Sequence, residues 1–171
     1  VTTLNYKKFK VHSSLKLASI YLNFLYRVAK PDGHFNNFVN PSHAIDKQKN
    51  RQENPEDANA RGLYALAQVS TTKQIPKRIR HQAQSFFEQS FRKNIAFSSP
   101  RAIAFYIKAL NCLLSKWKEP KTLAVLRYYC EQLMALYEKS HSPDWEWFEH
   151  YLTYSNAILP EALILGYKIT G

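Results

Sequence analysis

Apolar residues recur at helical spacing along most of the chain, and the recurrence predicts six helices. The first spans about 12–29, with Ser13 and Ser14 as caps and Pro31 as the stop. The second spans 56–69. It is opened by Asn54-Pro55-Glu56-Asp57, a cap, a proline in the first turn and two acids at the positive helix end. The third starts near Pro76 and puts Ile79, Ala83, Phe86, Phe87 and Phe91 on one stripe. The fourth starts at Ser99-Pro100 and is apolar nearly all round. The fifth, about 120–139, is amphipathic. The sixth starts near Leu159-Pro160-Glu161 and runs to the chain end.

The connections also have a pattern. Two are long, residues 30–55 and 140–158, and the other three are short. In an antiparallel succession, the first and fifth connections fall at the same end of the array. The second, fourth and sixth helices look more buried than the first, third and fifth. The expected fold class is therefore all-α, built of antiparallel helical hairpins with inner and outer helices alternating. A toroid of hairpins shows this alternation, and so do helical repeats, but no repeat consensus is present. We expect residues 1–171 to be one helical domain.

Composition agrees with this. Only 4 of 171 residues are Gly, while 45% are hydrophobic and 14% aromatic, a globular and turn-poor chain. Cys112 and Cys130 each lie in an apolar helical stretch with no CxxC spacing. They read as two buried thiols of a reducing, cytoplasmic setting, with a disulfide between neighbouring helices as the alternative. No apolar run reaches the length of about 18 that suggests a membrane span. Leu15 to Tyr26 lacks the cleavage site of a signal peptide.

The net charge is +11 and is unevenly placed. Residues 1–30 carry six bases and no acids, and residues 61–140 carry fourteen bases and four acids. Residues 31–60 and 141–171 are acidic on balance. A nucleic-acid binder concentrates its bases with its recognition residues. Here the unusual residues sit in the acidic segments, so nucleic acid is the least favoured partner and the basic helices read as solvated surface.

The most unusual stretch is Asp144-Trp145-Glu146-Trp147-Phe148-Glu149 followed by Tyr151-Leu152-Thr153-Tyr154-Ser155-Asn156. It is too polar for a core helix and too aromatic for a solvated loop. Aromatic faces beside carboxylates and amides suit sugars, whose C–H faces lie on rings and whose hydroxyls need fixed partners. The competing reading is a packed loop covering the end of the core. A second group comprises Asp32-Gly33-His34-Phe35-Asn36-Asn37 and the helix start Glu56-Asp57-Ala58-Asn59-Ala60-Arg61. Arg61 follows Asp57 by one helical turn and can pair with it, although Glu56 and Asp57 are also explained by capping alone. The six His show no metal-ligand spacing and no Gly-rich phosphate loop is present. We expect no metal and no cofactor.

Three patterns together resemble a bacterial family of six-hairpin glycosidase-like (α/α) toroids often attached to glycosyltransferase domains. They are Gly33-x-Phe35-x-Asn37, Glu56-Asp57-x-x-x-Arg61, and Trp145-x-Trp147-Phe148-Glu149-x-x-Leu152-Thr153-Tyr154-x-Asn156-Ala157-x-Leu159-Pro160-Glu161-Ala162-Leu163. The resemblance covers most of the chain in order. It implies about half of an (α/α)6 toroid, part of a longer protein, with carbohydrate as ligand and a fused or partner glycosyltransferase. It also implies an open flank, at Leu15 to Tyr26, Leu163 and Leu165, through which copies could associate. Two positions depart from the family pattern: Asn59 stands where it usually carries His, and Ser155 where it usually carries Asp.

Glycoside hydrolysis would need two carboxyls. The candidates are Asp57 and Glu149, with Asp144 third. Arg61 would hold Asp57 ionised, and Glu149, ringed by aromatics, would be the acid. Asn37, Glu56, Arg61 and Asn156 would bind hydroxyls, and Trp145, Trp147 and Tyr154 would stack on rings. Asn37, Glu56, Asp57, Arg61, Trp147 and Glu149 are expected to line one concavity. Three readings stay open: a glycoside-processing module, a non-catalytic module that binds glycan or scaffolds a glycosyltransferase, and, least favoured, a basic helical-repeat binding protein.

Overall fold

A computed structural model describes residues 2–171, which form eight helices and no strand. They are α1 (Thr2–Phe9), α2 (His12–Val28), α3 (Lys47–Gln52), α4 (Glu56–Thr71), α5 (Lys77–Arg92), α6 (Pro100–Leu114), α7 (Pro120–Ser140) and α8 (Ile158–Thr170). Six match the predicted helices, and α1 and α3 are additional. The expected serine caps of α2 are not used: Val11 is its cap residue, without a side-chain bond, and Ser13 and Ser14 fall inside the first turn. At α7 the cap comes from Glu119, whose side chain accepts the Thr122 N–H at 2.7 Å.

α4, α6 and α8 lie side by side and run parallel. Their register is fixed by a ladder of polar links. Glu56 at the start of α4 bonds the backbone just ahead of α6, and Lys116 beyond the end of α6 donates to the Ser70 carbonyl near the end of α4 at 3.3 Å. Between α6 and α8 the links climb together: Arg101 to Asn156 at 2.9 Å, Lys108 to Glu161 at 2.7 Å and Asn111 to the Leu165 carbonyl at 2.7 Å. α5 packs on α4, and α7 packs on both α6 and α8.

This inner row carries the core. Leu63, Leu66, Ile107, Leu110 and Leu159 are fully buried, and α6 contributes ten buried residues, the most of any helix. One close approach is specific. A Cβ on Gly166 would come within 2.4 Å of the Cys130 sulfur, so a side chain at 166 would force that thiol to move. Cys112 and Cys130 are both free and partly buried, and burial pushes each thiol up to about 11.

α2 stands off from the row. Leu22 and Val28 reach the core and Tyr26 stacks on Phe86 with ring centroids 4.5 Å apart. A groove of about 540 Å³ nevertheless separates α2 from α4. Along α2, Leu17, Ile20, Tyr21 and Phe24 are exposed, as expected of an open flank. On α8 the exposed apolar residues are Ile164 and Tyr167, whereas Leu163 and Leu165 are half-buried.

Candidate functional site

Both long connections lie at the N-terminal end of the inner row, as their parity predicts. The first folds back through short bridges, Ala29 to Phe35 and Val39 to Ile45. Its tight turn uses Gly33 at φ +89°, where a Cβ would sit 3.0 Å from the Lys93 side chain. Asn59, fully buried on α4, then clamps the loop: its Oδ1 accepts the Phe35 N–H at 2.6 Å and its Nδ2 donates to the Phe35 and Pro55 carbonyls. In this chain residue 59 is a fastening for the backbone, a task an amide performs with both of its polar atoms. Asn50 fastens the outer part of the loop, accepting the N–H groups of Asn37 and Phe38 and donating to the Phe38 and Asp46 carbonyls.

The second connection is anchored by a residue the motifs do not contain. Arg101 is only 4% exposed. Its Nη1 bonds both oxygens of Glu149 at 2.9 and 2.8 Å, its Nε donates to the Tyr154 carbonyl at 2.6 Å, and its Nη2 donates to Asn156 Oδ1 at 2.9 Å. The sequence does not single this arginine out. Arg101 follows the opening proline of α6 with no acid in the same turn, but α5 also opens with Lys77, Arg78 and Arg80, and none of those forms an ion pair among the described residues.

Tyr154 joins the two connections. Its hydroxyl donates to Asp57 Oδ2 at 2.8 Å. The same oxygen accepts Arg61 Nε at 3.2 Å and lies 3.1 Å from Arg61 Nη2. The guanidinium carbons of Arg101 and Arg61 stand 4.9 and 5.8 Å from the Tyr154 ring centroid. The bond to Asp57, then partial burial and the charge of Asp57, raise the Tyr154 phenol above its usual value. The residue as a whole is still 56% exposed. The other oxygen of Asp57 is buried and accepts no hydrogen bond.

The remaining predicted residues divide by role. Glu56 caps the approach to α6, accepting the N–H groups of Ser98 and Ser99 at 2.7 and 2.8 Å and the Ser98 hydroxyl at 2.9 Å. Partial burial pushes its carboxyl up, but the bonds from Ser99, Ser98 and Asn54 outweigh this and hold it below the usual value. Trp145 donates to the Glu149 carbonyl at 2.6 Å, and Trp147 packs on the core beside Phe148 with its N–H buried and unpaired. Asn156 closes its own loop on Thr153. Asp144 is exposed.

None of the cavities described brings the expected residues together. Asn37 and Arg61 line the groove between α2 and α4. Asp57, Arg61, Tyr154, Arg101, Glu149 and Asn156 form a connected network, while Glu56 faces Ser98 and Ser99. A cavity of about 400 Å³ along α5 and α7, lined by Phe87, Phe91, Leu113 and Trp117, contains none of these residues. Among the described residues no group of His, Cys, Asp and Glu could hold a metal, and no helix is long and apolar enough to cross a membrane. Comparison with protein families, with characterised proteins and with solved structures finds no match to this chain.

Proposed function

We propose that the chain is an arc of an (α/α) toroid whose N-terminal end binds a neutral carbohydrate without cleaving it. The parallel row α4, α6 and α8, with α5 and α7 packed outside it, supports the arc, as does the motif resemblance. The binding reading rests on one observation above the others: Tyr154 is an exposed residue, 56% accessible, yet held at its hydroxyl by Asp57 and at its backbone by Arg101. A fixed, exposed aromatic face costs little entropy to stack upon. Arg61 lies alongside, its side chain 44% exposed and with donors to spare.

The carboxyls favour binding over hydrolysis. An acid for glycoside cleavage must reach the leaving oxygen as an unpaired, protonatable group. Glu149 instead places both oxygens on one guanidinium nitrogen, and Asp57 is shared between Arg61 and Tyr154. In this reading Trp145, Trp147, Glu149 and Asn156 shape the loop that holds Tyr154. The exposed apolar side of α2 would meet a further helical element or a second copy.

The test is a panel of neutral oligosaccharides, scored for binding and for cleavage, against the wild type, Tyr154→Ala, Tyr154→Phe and Arg61→Gln. Binding without cleavage is expected, abolished in Tyr154→Ala, and weakened only a few-fold in Tyr154→Phe, which keeps the ring. Cleavage that disappears in Asp57→Asn and Glu149→Gln would establish the hydrolytic reading instead.

A further inference from the structure

The opposite end of the inner row carries a second concavity that neither the motifs nor the proposed carbohydrate site uses. It encloses about 380 Å³ at the C-terminal ends of α4 and α6, with α1 as its far wall. Three lysines line it: Lys7 from α1, Lys73 just after α4 and Lys116 just after α6. No acidic residue lines it. Thr71, Thr72 and Ser115 contribute hydroxyls.

The cations here have no counter-charge. None of Lys7, Lys73, Lys116 or the nearby Arg80 takes part in an ion pair among the described residues. Arg80 is more telling, because its Nε is buried and has no hydrogen-bond partner. Lys116 finds only the Ser70 carbonyl, at 3.3 Å, and the face of Trp117. Partial burial, and then repulsion from Arg80 and Lys73, hold its ammonium below the usual lysine value. The C-termini of α4 and α6 meet the N-termini of α5 and α7 at this end, so the helix dipoles largely cancel. The four cations therefore leave the concavity with a positive field that the fold does not neutralise.

We propose that this cavity binds a phosphate-bearing small molecule, with Lys7, Lys73 and Lys116 on the phosphate oxygens and Arg80 behind them. A carboxylate would offset one of these charges. A phosphate monoester carries about −1.5 to −2 and offers three acceptor oxygens, which match three lysines and the neighbouring hydroxyls. The cavity has the volume of a small-molecule site. A nucleic-acid face would instead need a track of cations with aromatic platforms, and the lining of this cavity includes no aromatic ring.

The experiment is a low-salt calorimetric titration with inorganic pyrophosphate, using the wild type, the double variant Lys73→Gln/Lys116→Gln, and Lys139→Gln as a control at the far end of α7. Thermal melts of each variant report folding separately. Saturable one-to-one binding is expected, weakened at least tenfold in the double variant and less than twofold in the control, with no loss of thermal stability in either. The proposal is overturned if pyrophosphate does not saturate, or if the control weakens binding as much as the double variant. It is equally overturned if a short single-stranded DNA binds more tightly than pyrophosphate, with a salt dependence exceeding that of about three phosphate contacts.

Discussion

At the N-terminal ends of α4, α6 and α8, Asp57, Glu56 and Glu149 meet Arg61, the Ser98-Ser99 backbone and Arg101 respectively. At the C-terminal ends of α4 and α6, Lys7, Lys73, Lys116 and Arg80 meet no carboxylate at all. The two ends are separated by the length of α6, roughly 22 Å at the ordinary rise per residue. The two ends follow the helix dipole only in part: Glu56 and Asp57 open α4 and Lys73 and Lys116 lie just beyond the ends of α4 and α6, whereas Arg101 opens α6 and Arg80 lies in the first turn of α5. They differ in what is left over. The first end has spent its charge on holding a loop, so what it offers a ligand is a fixed aromatic face and hydrogen bonds. The second has an unspent field, so what it offers is attraction for an anion. A charge that the fold uses and a charge that the fold tolerates can look alike in a sequence, and only the partner tells them apart.

The contrast can be tested by removing charge at each end. The largest effect should come from Arg101→Met. It strands Glu149, whose side chain is 15% exposed, and frees the Tyr154 carbonyl and Asn156. A loss of about 3–5 kcal/mol is expected in urea unfolding, the usual cost of leaving one member of a buried pair behind. The double variant Arg101→Met/Glu149→Leu should recover much of that loss. If it recovers none, the arginine acts through packing and not through charge.

Glu56→Gln should cost about 1 kcal/mol, comparable to loss of a helix cap. The effect has a direction in pH. The folded carboxyl lies below its usual 4.5, so its contribution is complete above that value and is lost as pH falls through the lower folded value. Stability curves of the wild type and the variant should therefore converge on acidification. Lys116 at the other end has the opposite sign. Its ammonium is held below 10.5 when folded, so the wild type should gain stability as pH rises through the folded value towards 10.5, a gain that Lys116→Gln should lack.

Ser155 adopts φ +53°, a left-handed conformation that favours Gly, Asn and Asp. Ser155→Gly should stabilise by about 0.5 kcal/mol in the same urea assay. The smallest effect is expected from Lys73→Gln, neutral or stabilising by at most about 0.5 kcal/mol. Its melting temperature should depend less on salt than that of the wild type, because one repelling charge is gone.

Six helices were legible because each buries a stripe that repeats at helical spacing, and the parity of their connections placed both loops at one end. α1 and α3 were not legible for physical reasons. Thr3 is the only buried residue of α1, and α3 buries none; it is held by Asp46 at its cap and by the four bonds of Asn50. Three of the Asn50 bonds join residues 12 or 13 apart and leave no period in the sequence. The pairing of Asp57 with Arg61 followed from helical spacing, and the meeting of the two connections from parity, but the contact of Asp57 with Tyr154 did not. The role of Arg101 did not, because no short-range pattern names a partner 48 residues away. Nor could spacing show that Trp145 and Trp147 are turned to loop and core, leaving Tyr154 as the exposed one of the three expected stacking residues.

One measurement addresses both ends together: amide NMR of the wild type, titrated separately with a neutral oligosaccharide that the panel shows to bind and with pyrophosphate. The sugar should shift resonances around Arg61 and Thr153 to Asn156, and pyrophosphate those around Thr71 to Lys73 and Ser115 to Lys116, with little overlap between the two sets. If both ligands perturb the same end, or the sugar perturbs the lysine cavity alone, the division between a spent and an unspent end is wrong.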